Sequence, residues 1–161
     1  MHLEPLRPDH APELLAFELA NRTYFGAFIS DRGDAFFDEF SERFDELLAE
    51  REARGDAYYV LVDDDDSVLG TFNLRGIEDG TAELGYRVAE RVAGRGVATA
   101  CVRELCRLAA SEHGVRRLRA RTTHENLASQ RVLAKAGFVA DGPADVAGRA
   151  GIWFEQALAQ A

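Results

Sequence analysis

The sequence predicts an α/β or α+β fold, a mixed sheet flanked by helices. Two observations carry that prediction. Along the chain the elements run strand, two helices, three strands, helix, strand, helix and two strands. The three-strand run between Ala57 and Val88 interrupts strict strand–helix alternation and so disfavours a doubly wound dinucleotide-binding sheet. No repeat and no Pro/Gly-rich linker divides residues 1–161, which read as a single domain.

Met1 to Leu6 alternates as a short first strand. Pro8 to Glu13 reads as a helix start, with Asp9 able to accept from unpaired amides and Pro12 tolerable in the first turn. Leu14, Leu15 and Phe17 begin its buried face. Asn21 to Gly33 is a broken aromatic segment. Asp34 can cap a second helix, on which Phe36, Phe37, Phe40, Phe44, Leu47 and Leu48 recur at helical spacing until Arg54-Gly55. Ala57–Val62 and Leu69–Arg75 are two strands joined by Asp63-Asp64-Asp65-Asp66-Ser67. Those carboxylates lack the alternate ligands, Gly and distal Glu of a calcium loop, and they read as a solvated turn; no metal is expected. Glu78-Asp79-Gly80 turns into strand Thr81–Val88, and a helix runs from Val97 to Glu112. Arg116–Thr122 is strand-like, and a helix beginning at Glu125 or Asn126 ends at Gly137, an apt terminator. Strand Phe138–Ala140, a turn region Asp141–Ala150 and a last strand Gly151–Leu158 close the chain.

Composition excludes some function classes. The net charge of −9 argues against nucleic-acid binding and is compatible with a cationic acceptor. No apolar run is long enough to span a bilayer, and Met1–Pro5 lacks a signal-peptide pattern, so a cytoplasmic protein with no membrane partner is expected. Cys101 and Cys106 fall on different faces of one helix, away from any metal-ligand spacing, and read as packing residues.

Chemistry concentrates in two stretches. Ala93-Gly94-Arg95-Gly96-Val97-Ala98 joins a strand to a helix. Such a turn leaves N–H groups free at the positive end of the helix dipole, which makes a phosphate cradle. Gly94 and Gly96 allow close approach, and Arg91 and Arg95 add positive charge. The second stretch is Asn126-x-x-Ser129-x-x-Val132-Leu133-x-Lys135-x-Gly137-Phe138.

In this order the two stretches resemble the acetyl-CoA-binding core of the GNAT superfamily of N-acetyltransferases. With Ala82-Glu83-Leu84-Gly85-Tyr86 and the early Asn21-Arg22-x-Tyr24-Phe25, the chain looks most like the branch that acetylates ribosomal-protein alanine N-termini. The resemblance covers nearly the entire chain, and it implies a mixed, mostly antiparallel central sheet. The family's phosphate loop begins with Gln or Arg, where this chain has Ala93; Arg91 is the candidate replacement. The resemblance assigns phosphate contacts to the backbone from Gly94 to Thr99 (Gly94, Arg95, Gly96, Val97, Ala98 and Thr99). It assigns pantetheine contacts to Tyr86, Arg87, Val88 and Asn126. Ser129 would hydrogen-bond the departing sulfur, because the Tyr that many relatives use for this lies at Leu133 here.

The implied reaction is direct attack of a primary amine on acetyl-CoA, with no covalent enzyme intermediate. Glu83 is the candidate base, directly or through water, with a pKa expected to rise on burial. His124 is the alternative base. Tyr24, Phe25, Phe28 and Phe37 are expected to wall the acceptor. The arginine series Arg116, Arg117, Arg119 and Arg121 reads as a solvated face, with contact to CoA phosphates as the competing reading. The acceptor is a protein N-terminus or a small amine (polyamine, amino-acid derivative or aminoglycoside), and the chain a monomer or homodimer. A non-catalytic acyl-CoA sensor is the reading outside enzymes.

Overall fold

The computed structural model describes residues 1–159. A seven-stranded sheet in the order β1-β2-β3-β4-β5-β7-β6 forms its centre. The strands are β1 His2–Pro5, β2 Ala57–Val62, β3 Val68–Glu78, β4 Thr81–Val88, β5 Arg117–Thr123, β6 Val139–Val146 and β7 Arg149–Ala157. Every neighbouring pair is antiparallel except β4 and β5. The mixed, mostly antiparallel sheet expected from the sequence is therefore present.

Helices cover both faces. Helix α5, Val97–His113, buries Val102, Leu105 and Ala109, an i, i+3, i+7 stripe packed on β3. Its Cys101 is buried and Cys106 half-buried; burial pushes both thiols up to about 11, which leaves them as packing groups. Helix α1, Ala11–Ala20, also packs on β3 through Leu14 and Phe17. α2 spans Arg22–Gly26, α3 Asp34–Asp38, α4 Phe40–Ala53 and α6 Leu127–Lys135. Among the described residues no helix is long and apolar enough to cross a membrane.

The helical half departs from the sequence reading in its caps and continuity. Asp9 does not cap α1: its carboxylate accepts from Arg7 Nε at 3.0 Å, and the Arg7 N–H donates to His10 Nδ1 at 2.9 Å. Asp34 is the first residue of α3 rather than its cap, and it accepts from Arg22 at 2.7 Å. The single Phe-striped helix is two helices, broken at Glu39 (φ −103°, ψ 3°). The break lets Phe40 and Phe44 stack in the core at 5.1 Å, while Phe36 and Phe37 stay half-buried beneath Arg32 and Arg22.

The region Asp141–Ala150 is mostly strand, not turn. β6 runs to Val146, with a register shift between Ala140 and Pro143, and turns through Ala147-Gly148 into β7. β6 is an edge strand, where an irregular ladder accommodates Gly142 and Pro143.

One feature of the sheet positions the site. β4 and β5 pair only at Thr81–Arg117, Ala82–Leu118 and Glu83–Arg119, although both strands continue beyond. The sheet is therefore split from Leu84 and Ala120 onward.

Candidate functional site

The split frees one edge of β4. The Ala89 N–H donates to Leu69 at 2.8 Å, continuing the β3–β4 ladder. Backbone groups alternate along a strand, so Leu84, Tyr86 and Val88 turn their N–H and C=O groups toward the gap. The gap's far end meets the glycine loop. Gly94 and Gly96 have φ of 74° and 76°, a left-handed conformation natural to glycine, and no neighbouring atom approaches within 4 Å of a Cβ built on either. α5 begins beyond them without a side-chain cap, leaving first-turn amides directed outward.

α6 forms the opposite wall. The Ser129 N–H donates to Asn126 Oδ1 at 3.2 Å, so the Asn126 side chain caps the helix and fixes its first turn. Ser129 Oγ lies 3.0 Å from the Tyr86 hydroxyl, whose ring stacks on Phe72 at 5.8 Å. Burial pushes the Tyr86 phenol up to about 12, with the Ser129 hydrogen bond acting in the opposite direction.

Between these walls lies a cavity of about 400 Å³. Of the expected cofactor residues it gathers Tyr86, Arg87 and Val88 from β4, and Gly94, Gly96, Ala98 and Thr99 from the loop and α5. Asn126 and Ser129 line it from α6. Arg131 and Lys135, one helical turn apart on that helix, line it too and supply cations the sequence reading did not assign. Arg91 is turned away, donating to Ser67 Oγ at 3.1 Å in the β2–β3 turn, and neither Arg95 nor Val97 lines the cavity. Tyr24, Phe25 and Phe28 line another side, joined by Ile29; Phe37 lies elsewhere, packed on Phe36 at 5.2 Å.

A buried ion cluster ties the aromatic segment to β4. Glu18, 3% exposed, accepts from Arg32 at 3.2 Å and Arg87 at 3.3 Å. Arg87 also lies over Phe25 at 5.1 Å; burial lowers its pKa to about 10, so it stays charged at neutrality. Asn21 joins the same elements, donating to the Phe17 carbonyl and accepting from the Glu90 N–H, each at 2.9 Å.

The gap itself is a notch of about 90 Å³ between Leu84, Gly85 and Tyr86 on one side and Ala120–Thr123 on the other. Thr122 Oγ1 is buried there without a hydrogen-bond partner among the described residues, a polar group suited to a ligand in the notch. Arg121 borders this notch and also a second, wider basin of about 430 Å³ that holds Arg75, Glu83, Arg119 and Trp153. Glu83 therefore lines the basin rather than the cavity that holds Ser129. Its side chain is 24% exposed and is flanked by Arg121 (3.0 Å) and Arg75 (3.9 Å), in place of the expected apolar burial. His124 is exposed and lines neither the notch nor the basin. Arg119 and Arg121 face the basin, away from the glycine loop. The chain's negative balance does not extend to this face.

Comparison with known proteins fits this geometry. The Acetyltransferase (GNAT) domain family matches residues 1–139. The probable N-acetyltransferase YjcK of Bacillus subtilis is 32% identical over 148 residues, covering 88% of this chain and 82% of its own. The ribosomal-protein-S5-alanine acetyltransferase of Vibrio fischeri shares the fold with a TM-score of 0.86 at 21% identity, over 97% of this chain and 92% of that one. Spermidine N-acetyltransferase of Vibrio cholerae, in complex with CoA and spermine, has a TM-score of 0.78 at 17% identity, over 98% and 95%. By the family match and the Bacillus subtilis relative, this chain belongs to the GNAT family of acetyl-CoA-dependent N-acetyltransferases.

Proposed function

We propose that the chain acetylates the N-terminal α-amine of a polypeptide, by direct attack within a ternary complex. The observation that supports this reading is that the donor cavity meets the β4–β5 notch at Tyr86 and Ser129, and that Arg121 borders both this notch and an open basin bearing Glu83. A closed acidic pocket would suit a small polycation; an open face accommodates a chain that continues beyond its amine. An α-amine also titrates near 8, against about 10.4 for lysine, so less work is needed to free its lone pair at neutral pH.

When bound, acetyl-CoA supplies the activated acyl carbon and a thiolate leaving group. The amides from Gly94 to Thr99, with Arg131 and Lys135, would hold its phosphates, and the free edge of Tyr86 and Val88 its pantetheine arm. The Val88 N–H faces the gap and would polarise the acyl oxygen as negative charge develops on it. Glu83, acting through water, takes the proton that the ammonium must lose before its nitrogen attacks, and the second amine proton passes to solvent as the C–N bond forms. Ser129 donates a hydrogen bond to the sulfur as the C–S bond breaks, and Tyr86 orients that hydroxyl. A phenol held near 12 is a poor proton source for a thiolate, so the pair stabilises the charge and solvent returns the proton.

The test is mass spectrometry of purified protein, acetyl-CoA and a pool of acceptors. The pool holds peptides beginning with Ala, Ser or Met, internal-lysine peptides, polyamines and aminoglycosides. Acetylation confined to peptide N-termini supports the reading. Acetylation of polyamines or aminoglycosides moves the function to small amines. Binding of acetyl-CoA with no product from any acceptor supports the sensor reading.

A further inference from the structure

The basin around Glu83 has a charge pattern that the acetyl-transfer reading leaves unused. Arg75, Arg119 and Arg121 line it against one carboxylate, Glu83. Glu83 occupies Arg121 and reaches Arg75 only at 3.9 Å, and Arg75 is half-exposed. Arg119 makes no ion pair within 4.0 Å among the described residues; it attracts its cross-strand partner Glu155, whose carboxylate is hydrogen-bonded to Arg117. The neighbouring Arg117, by contrast, is neutralised by Glu155.

These guanidiniums are arranged. Arg119 and Arg121 are alternate residues of β5 and share a face, about 7 Å apart along the strand. Trp153, paired with Arg121 across β5–β7, lies beneath both, with 4.0 Å from Arg119 Cζ and 5.0 Å from Arg121 Cζ to its ring. Cation–π contact of this kind holds a guanidinium flat while its edge stays available. On the other side, Arg75 crosses β4 at Gly85: a Cβ there would lie 3.0 Å from Arg75 Nη2. The missing side chain leaves room for that charge at the rim of the basin.

We infer that the acceptor is a polypeptide whose first residues after the terminal amine are acidic. The inference rests on the acetyl-transfer reading above. The α-ammonium meets the single carboxylate, Glu83, at the mouth of the notch that Arg121 borders. An extended peptide advances about 3.3 Å per residue, so carboxylates within its next three residues come alongside Arg121, Arg119 and Arg75. A polyamine meets three like charges on the same approach.

The experiment compares kcat/KM for peptides that share an N-terminal Ala and a common C-terminal half. Positions two to four are Asp/Glu, Asn/Gln or Lys, and spermidine is included. The acidic peptide is expected to exceed the neutral one about tenfold, the sum of two or three exposed charge pairs, with the lysine peptide lowest. Its advantage shrinks as salt shortens the screening length. Arg119→Glu narrows or inverts the acidic-to-lysine ratio. Equal kcat/KM for acidic and neutral peptides, or preference for lysine peptides or spermidine, overturns the inference while acetyl transfer stands. Absence of product from every acceptor overturns both.

Discussion

Replacing Ser129 and Tyr86, singly and together, separates a hydroxyl that touches the leaving group from one that only orients it. The two oxygens are 3.0 Å apart, and the Ser129 backbone is fixed by Asn126, so neither hydroxyl has freedom to find another partner without leaving the site. On the proposed mechanism, Ser129→Ala removes a hydrogen bond to a developing thiolate. Such a charge-assisted bond is worth about 1.5–3 kcal/mol, and a central value of about 2 kcal/mol lowers kcat roughly 30-fold. Tyr86→Phe removes a bond between neutral groups worth about 1 kcal/mol, roughly fivefold in kcat. Because Tyr86 acts through Ser129, the double variant is expected to be no slower than Ser129→Ala alone. The assay is steady-state release of free CoA thiol, with CoA affinity measured calorimetrically to show that each variant still binds. Since the phenol stays neutral up to about pH 12, kcat gains no alkaline limb from Tyr86 below pH 11 or so. A double variant whose loss equals the product of the single losses would refute the argument. So would a Tyr86→Phe loss of a hundredfold or more, which belongs to a general acid.

Three further expectations follow from other parts of the fold. Glu83→Gln keeps the basin's shape but removes the proposed proton acceptor; kcat should fall at least a hundredfold while CoA affinity holds, and an unchanged kcat removes Glu83 from the mechanism. Gly96→Val forces a β-branched residue to φ 76° at the start of α5; titration calorimetry should show CoA binding weakened roughly five- to thirtyfold, from about 1–2 kcal/mol of strain at the proposed phosphate cradle. Glu4 is held down to about 2, first by its hydrogen bond with His10 and then by His2, from an ordinary value of 4.5. A depressed carboxylate stabilises the fold above about pH 4.5 and loses that contribution as pH falls toward 2. Glu4→Gln should therefore flatten thermal stability against pH within that window only. The effect is under about 1 kcal/mol because solvent reaches the pair, and a slope equal to the parent's would contradict it.

The parts of the molecule legible in the sequence are those where local chemistry and tertiary context agree. β4 appears at Thr81–Val88 as expected, because its alternation sits between an Asp-Gly turn and a glycine loop. α5 was readable for the same reason, with glycines in left-handed conformations at both ends. Illegible were the places where a distant residue decides. Asp9 and Asp34 have capping chemistry, but Arg7 and Arg22 claim their carboxylates. β6 crosses Gly142 and Pro143 because β7 lies alongside it. The split in the sheet is a matter of register, which no residue type announces. Within the site, the cradle glycines and Asn126 carry a local signal. The Tyr86–Ser129 contact joins residues 43 apart and the Arg121–Glu83 contact residues 38 apart, so periodicity could not pair them. Arg131 and Lys135 were within reach: they lie one turn apart, close to the helical face that carries Ser129 and Val132.

The short β4–β5 ladder also leaves the sheet as two hydrogen-bonded blocks. β1 to β4 is a block of sequential neighbours, β5 to β7 a second, and only Thr81–Glu83 hydrogen-bonds to its counterpart across the seam. Amides on the seam edge of β4 should thus exchange with solvent by opening events far smaller than global unfolding, while those facing β3 wait for the whole block. A donor bound along that edge supplies the missing partner strand and closes the opening. At a concentration a hundred times its dissociation constant it adds about 2.7 kcal/mol to the native state. On the proposed reading, the acetyl-CoA concentration sets how rigid the chain is as well as how fast it works.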